Sequence, residues 1–93
     1  MLTLDTALCL PAYVSSTKVD EDVVLLNTRI NKYFALDEVG ARLWNLLSQG
    51  KPLRECHQIL LQEYDVEPAQ LEQDLLELLE QLEQNELVEI IAE

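Results

Sequence analysis

The first third of the chain consists of short apolar runs separated by polar ones, and after it apolar residues recur at three- and four-residue spacing. Residues 23–26 form a β-branched and apolar run, and residues 32–36 form a second run that contains two aromatic side chains. Between them, residues 27–31 are mostly polar and include two Asn residues, which tolerate the left-handed backbone of a turn. This pattern predicts an antiparallel β-hairpin.

An earlier apolar run, residues 8–14, predicts a first strand. Pro11 lies within it and has no backbone N–H, which confines such a strand to a sheet edge or a bulge. Residues 15–22 are polar and charged, and they predict a connection between this strand and the hairpin. Residues 1–7 are expected to form a loosely attached lead-in.

Three helical segments follow the hairpin. Asp37 is placed to cap the first of them, because its carboxylate can accept N–H groups of the first turn, and Gly50 suits the residue after its end. Apolar positions predict a second helix over about residues 53–64. Pro68 fits the first turn of a third helix over about residues 68–84, where its missing N–H costs nothing.

The third helix carries more leucine than one face requires. At about 100° per residue, four of its leucines cluster within about 60°, and two more lie further round the helix. The cluster consists of Leu71, Leu75, Leu78 and Leu82, and the outlying pair consists of Leu79 and Leu76. The extra width has two interpretations: the outlying leucines complete the core or a homodimer seam, or one flank of the helix lines an open hydrophobic groove.

Residues 87–91 predict a short extended tail that either pairs as a last strand or covers the core. The order of elements predicts an α+β fold, a winged helix-turn-helix in which an N-terminal three-stranded antiparallel sheet is followed by three helices. At 93 residues, the chain is expected to form a single domain over residues 1–93.

Charge is distributed unevenly along the chain. Residues 1–54 carry six acidic and six basic side chains, whereas residues 55–93 carry twelve acidic side chains and no Lys or Arg, so the net charge of −12 lies in the second segment. A nucleic-acid recognition helix needs Lys or Arg for phosphates and base edges, and the third helix has five acidic residues and no basic one. The composition argues against nucleic-acid binding. The acidic side chains have two compatible interpretations: they attract basic peptides or protein surfaces, or they form a solubilising helix face.

The sequence contains no recognisable catalytic or metal-binding pattern. One His and two widely separated Cys residues do not make a four-ligand metal site, and no phosphate-binding glycine loop is present. We interpret Cys56 as a small buried residue and His57 as structural; a catalytic role for either predicts an activity that Cys56→Ala removes. No apolar run reaches the ~20 residues that span a bilayer, and no basic segment marks a signal peptide, so we expect a cytoplasmic, non-catalytic binding module without a cofactor.

Three short motifs follow one another in the middle of the chain: an aromatic strand, a Leu-Asp-x-x-Gly sequence and an aliphatic–Trp pair. They are present as Tyr33-Phe34, Leu36-Asp37-Glu38-Val39-Gly40 and Leu43-Trp44, and a helix stop at Gly50 and a Tyr64-Asp65 junction come after them. In this order and spacing, residues 23–88 resemble the PqqD-like family, also called the RiPP precursor recognition element.

The resemblance implies that the chain binds the leader of a ribosomally made precursor peptide. In this family the leader adds as an antiparallel strand to the edge of the third strand, in a cleft closed by the third helix. Transferred to this sequence, the edge consists of Lys32, Tyr33, Phe34, Ala35 and Leu36. The opposite wall consists of Leu71, Asp74, Leu75 and Leu78, with Leu79 or Leu76 at its margin.

A stand-alone chain of this length most resembles the leader-binding proteins of lasso-peptide clusters. The implied partners are a precursor leader of the Tyr-x-x-Pro type, a cysteine-protease-like leader peptidase and possibly an ATP-dependent cyclase, with no nucleic acid and no membrane. The acidic third helix is expected to attract a basic protease surface or a Lys- or Arg-bearing leader. Two alternatives stay open: a PqqD-like chaperone for another pathway, such as one with a radical-SAM enzyme, and a structural winged-helix module that dimerises through Leu76 and Leu79.

Overall fold

A computed structural model describes residues 2–20 and 22–92. The strands are β1 (Ala7–Cys9), β2 (Val14–Val19), β3 (Asp22–Asn27), β4 (Lys32–Leu36) and β5 (Glu89–Ala92), and the helices are α1 (Glu38–Ser48), α2 (Leu53–Glu63) and α3 (Pro68–Gln84). Strands β2, β3 and β4 form one antiparallel sheet in that order, and β1 pairs with β5 in a second, two-stranded sheet. The predicted α+β class, a three-stranded antiparallel sheet followed by three helices, is confirmed, and the arrangement is compatible with a winged helix-turn-helix.

The position predicted for the first strand is wrong. The partner of β3 is β2, which occupies most of the segment predicted to be a polar connection, and its register pairs Val14 with Asn27 and Lys18 with Val23. Strand β2 forms an edge of the sheet, and all of it except Val14 is exposed. It is therefore stabilised mainly by main-chain hydrogen bonds to β3, which a hydrophobic pattern does not report.

The prediction of a loosely attached lead-in over residues 1–7 is also wrong for the part that the structure describes, residues 2–7. Met1 lies outside the described residues. Leu4 and Thr6 are buried, at 5% and 4% exposure. Asp5 accepts from Arg54 Nε at 2.9 Å, which joins this segment to α2. The run after it forms the short strand β1, whose partner is β5. The tail does both of the things expected of it, because Leu87 and the next residue are buried just before β5 begins.

Local chemistry sets the helix boundaries as predicted. The Asp37 carboxylate accepts the backbone N–H of Gly40 at 2.8 Å and so caps α1. After α1 the chain turns at Gly50, whose φ of 86° lies in the left-handed region that favours glycine. Pro68 starts α3, and its carbonyl accepts from His57 Nε2 at 2.9 Å, which fixes the start of α3 against α2.

A buried amide connects the hairpin turn to the end of α3. Asn27 is fully buried, and its Nδ2 donates to the carbonyls of Asn85 and Glu86, at 3.1 Å each. Its Oδ1 accepts the backbone N–H groups of Arg29 at 3.0 Å and Ile30 at 3.3 Å. One side chain therefore satisfies two carbonyls past the C-terminus of α3 and two N–H groups of the β3–β4 turn.

Asn27→Ala is expected to lower the free energy of unfolding by about 2 kcal/mol, because it removes these four part-buried hydrogen bonds and leaves their partners unpaired. The measurement is urea unfolding followed by circular dichroism. Asn85→Ala is the matched control: its side chain donates to the Gln81 carbonyl at 2.8 Å from an exposed position, and the loss there should stay under about 1 kcal/mol. Equal losses in the two variants would contradict the role assigned to Asn27.

Candidate functional site

Strand β4 forms an edge of the three-stranded sheet. Within residues 2–20 and 22–92 it pairs with β3 alone, in a register that places Leu25 opposite Phe34 and Leu26 opposite Tyr33. Side chains alternate along it: Leu36 is 3% exposed and faces the core, whereas Tyr33 is 72% exposed. An edge of this kind offers free N–H and C=O groups to another extended chain.

An open cleft of about 440 Å³ lies beside this edge, between the end of β4, the first turn of α1 and one flank of α3. Its surface is mainly apolar, with a small number of polar side chains. The lining consists of Phe34, Ala35, Leu36, Asp37, Val39, Gly40, Val66, Leu71, Asp74, Leu75, Leu78 and Gln81. A free strand edge and an apolar cleft therefore lie next to each other, as strand addition requires.

Most of the residues expected at the site are brought together in this lining: Phe34, Ala35, Leu36, Leu71, Asp74, Leu75 and Leu78. Lys32 and Tyr33 belong to β4 but lie further along it, outside the lining. Leu79, expected at the margin, is instead fully buried in the core, and Leu76 lies on another side of α3. The reason is helix geometry: Leu79 points about 100° away from Leu78 and so turns from the cleft into the core.

Five further lining residues were not predicted at the site: Asp37, Val39, Gly40, Val66 and Gln81. Val66 is 43% exposed and lies in the short connection between α2 and α3, where no periodic pattern marks it. Its signal is an apolar side chain between two carboxylates, Asp65 and Glu67. Val39 follows the α1 cap directly, and Gln81 lies three residues after Leu78 on the same flank of α3, the spacing that places helix residues side by side.

Asp74 gives the cleft a polar group. Its side chain is exposed, and its Oδ1 accepts from Gln70 Nε2 at 2.8 Å. The other carboxylate of the lining, Asp37, already accepts the N–H of Gly40 as the α1 cap. Asp74 therefore has spare acceptor capacity for a donor on an occupant of the cleft, such as a backbone N–H, a hydroxyl or a cation.

Gly40 allows α3 to approach α1 closely. A Cβ atom at this position would lie 3.3 Å from Leu78 Cδ2, 3.2 Å from Asp37 Oδ1 and 3.4 Å from Leu36 Cβ. These separations are at or below ordinary van der Waals contact. The glycine of the Leu-Asp-x-x-Gly sequence thus has a steric explanation, because it makes room for a leucine that lines the cleft.

Gly40→Ala is expected to lower the free energy of unfolding by about 1 kcal/mol. The new methyl group would displace Leu78, and this overpacking costs more free energy than the higher helix propensity of Ala contributes. Chemical denaturation of Gly40→Ala, Leu78→Val and the double variant forms a mutant cycle. If Gly40 and Leu78 are coupled through this contact, the alanine should cost less in the Leu78→Val background. Strict additivity of the two single effects would contradict the explanation.

Neither candidate catalytic side chain reaches the cleft. Cys56 is buried, its Sγ lies 3.8 Å from the carbonyl of Lys51, and burial raises the pKa of its thiol to about 11. The thiol is therefore protonated at neutral pH, and a protonated thiol is a poor nucleophile. His57 is buried with its Nε2 bonded to the carbonyl of Pro68. Across the described part of the chain, no group of three His, Cys, Asp or Glu side chains is placed to bind a metal ion.

No helix among the described residues is long and apolar enough to cross a bilayer.

Comparison with solved structures identifies two similar chains. The first is described as TbiB1 in complex with the TbiA(beta) leader peptide; it shares 38% sequence identity with a TM-score of 0.84, covering 90% of this chain and 98% of that one. The second is described as lasso peptide synthetase B1 complexed with the leader peptide; it shares 28% identity with a TM-score of 0.79, covering 87% of this chain and 95% of that one. A comparison with curated proteins gave no match.

A family model described as coenzyme PQQ synthesis protein D (PqqD) matches residues 22–88. The matched segment contains β3, β4 and all three helices, and with them every side chain that lines the cleft. The resemblance noted in the sequence is therefore confirmed over most of the chain. Because the match takes in more than half of the 93 residues, the chain belongs to the PqqD family.

Proposed function

We propose that this chain is a leader-peptide recognition module of lasso-peptide biosynthesis. The observation that carries the proposal is the likeness, over nearly the whole of each chain, to two proteins solved with a leader peptide: TbiB1 at 38% identity and lasso peptide synthetase B1 at 28% identity. The free edge of β4 beside an apolar cleft supplies a site of matching form. The protein would hold the precursor and present it to the enzymes that mature it, without catalysing a step itself.

In this proposal the leader adds as an antiparallel strand along β4, from Lys32 to Leu36. Main-chain hydrogen bonds would set its register, and pockets would select its side chains. Five residues of β4 offer about 17 Å of edge, enough to pair a segment of similar length. Leader side chains that point towards α3 would enter the cleft against Leu71, Leu75 and Leu78, which favours apolar residues there. Asp74 would accept a hydrogen bond or pair with a cation of the leader.

The wider setting is also part of the proposal. We place the chain, as a single domain over residues 1–93, in the cytoplasm, with a cysteine-protease-like leader peptidase and possibly a cyclase as protein partners, and with no cofactor. Cys9 is exposed and Cys56 is buried, and both are free thiols, which suits a reducing compartment. The five carboxylates of α3 disfavour a nucleic-acid partner.

The test is a titration with a synthetic leader that contains Tyr-x-x-Pro followed by apolar residues, monitored through the amide chemical shifts of the protein. We expect saturable binding, with the largest shifts in β4 and at the α3 residues of the cleft. A peptide of the same composition in scrambled order is the control. Failure of leaders from several precursor classes to bind a folded protein would overturn the proposal.

A PqqD-like role in another peptide-modifying pathway is the alternative that the family match itself favours. The same titration separates the two, because such a module would ignore the lasso leader and bind a leader of a different class. The dimerisation alternative is weakened, because one of the two leucines on which it rests is not available at the surface. It required Leu79 to be buried between two copies, and Leu79 is already fully buried within one.

A further inference from the structure

A second groove lies on the other side of α3 from the cleft. It has a volume of about 680 Å³, and three apolar side chains contribute to it: Leu2, Ala69 and Leu76. Four carboxylates and one amide complete the lining: Glu72, Glu77, Glu80, Glu83 and Gln73. We call this surface the acidic groove; it shares no residue with the cleft beside β4.

Helix geometry explains why the two surfaces are separate. Ala69, Leu76, Glu80 and Glu83 are spaced by three, four or seven residues and so share one face of α3. At about 100° per residue, Leu76 and Leu78 point about 160° apart. One helix therefore presents a flank to the cleft, a face to the core and a third surface to the outside.

The charge of the acidic groove is not neutralised by the ion pairs seen within the chain. Between described residues, the carboxylates in those pairs belong to Asp5, Glu55, Glu63 and Glu86, and none of them is on α3. Within the groove, Glu77 accepts a hydrogen bond from the neutral amide of Gln73 at 3.1 Å. The surface thus combines apolar side chains with several negative charges, and none of its described lining residues is a cation; Arg54, which pairs with Asp5, interacts with Glu72 from outside the lining.

We propose that the acidic groove is a docking site for an amphipathic, Lys- or Arg-flanked helix of a partner protein. The apolar strip of such a helix would cover Leu76 and Ala69, and its basic side chains would reach the carboxylates around them. A second copy of this chain is a poor occupant, because a two-fold contact through this surface places α3 carboxylates opposite α3 carboxylates. Since the groove and the cleft lie on different sides of α3, a partner can dock while the cleft is occupied.

The probe is a synthetic helical peptide of about 15 residues, long enough for a helix to be marginally stable in water, with Leu on one face and Lys on both flanks. Its affinity is measured by calorimetry at physiological ionic strength. The groove variant is Glu77→Gln/Glu80→Gln, and the matched control is Asp20→Asn/Asp22→Asn, which changes net charge equally at two exposed residues, one just after β2 and the other at the start of β3. Each exposed ion pair contributes up to about fivefold, so we expect the groove variant to bind about fivefold to tenfold more weakly and the control to change by less than about twofold.

Leu76→Gln tests the apolar part and should also weaken the peptide, with thermal unfolding recorded to show that the variant is folded. Equal weakening by the groove and control variants would overturn the proposal, because it would mean attraction to net charge alone. Absence of saturable binding by the unaltered protein would overturn it as well. The proposal stands apart from the leader site: the groove variants should bind the leader normally, and a failed leader titration would leave this result unchanged.

Discussion

Ala35→Pro is expected to weaken leader binding by about a hundredfold while the domain stays folded. Proline has no backbone N–H, so a donor disappears from the edge to which we propose that the leader adds. The leader carbonyl that used it would remain unpaired in a partly closed cleft, at a cost of about 1–3 kcal/mol beyond the lost hydrogen bond. Proline is tolerated on an edge strand where its missing N–H faces outward. Ala35 is exposed, lies on such an edge and lines the cleft.

Two measurements on each variant make this result decisive. Leader affinity is obtained by titration, and the free energy of unfolding is obtained by chemical denaturation. Ala35→Val keeps the N–H and suits a strand, so it should bind the leader within a few-fold of the unaltered protein. A large loss of stability in Ala35→Pro would mean that this N–H pairs with β3 instead of facing the leader. Unchanged affinity in a stable Ala35→Pro variant would exclude strand addition at this edge.

The parts of the fold that could be predicted are those with local causes. The Asp37 cap, the left-handed turn at Gly50 and the proline that starts α3 each act within a few residues, and the sequence therefore places the helix boundaries closely. The hairpin is of the same kind, because its two apolar runs and its polar turn are adjacent in sequence. In each case the residues that determine the structure are the residues that form it.

Strand β2 could not be predicted, because its cause is not local. Ser15, Ser16 and Thr17 read as a connection, yet they form the middle of a strand because β3 provides a template for their main chain. An edge strand needs little apolar surface when one of its sides is paired. The lead-in differs: Leu4 is apolar, but only the tertiary structure shows that it reaches the core. Both errors concern pairing between distant parts of the chain.

The candidate site shows the same limit on a finer scale. Periodicity identified the leucines of α3, but it could not set the rotation of the helix about its own axis. That rotation is determined by packing, which buries Leu79 and leaves Leu78 at the cleft. Leu78 packs closely against the position of Gly40, so a shift of Leu78 out of this position would be costly. The strand edge was predicted from the resemblance to a family, whereas only the structure shows which of the neighbouring leucines line the cleft.

Trp44→Ala is expected to lower the free energy of unfolding by about 3–5 kcal/mol, the largest stability effect among these predictions. Trp44 lies on α1 at 7% exposure, within the hydrophobic core. A 93-residue domain has a stability of about 5–14 kcal/mol, so the variant should still fold at low temperature. It is the only Trp of the chain, so unfolding is followed by circular dichroism instead of intrinsic Trp fluorescence. The folded variant should bind the leader normally, because Trp44 does not line the cleft beside β4.

Phe34→Ala is the comparison that separates core from cleft. Phe34 is only half-buried: it packs against the core and also lines the cleft. We expect it to lose less stability than Trp44→Ala, about 1–3 kcal/mol, and to bind the leader clearly more weakly. If the folded Trp44→Ala variant bound the leader more weakly than the folded Phe34→Ala variant, the peptide site would not be the cleft beside β4. The candidate site would then be the cleft of about 560 Å³ that Trp44 lines together with Ser16, Lys18 and Tyr64, and β4 would not be the edge that the leader uses.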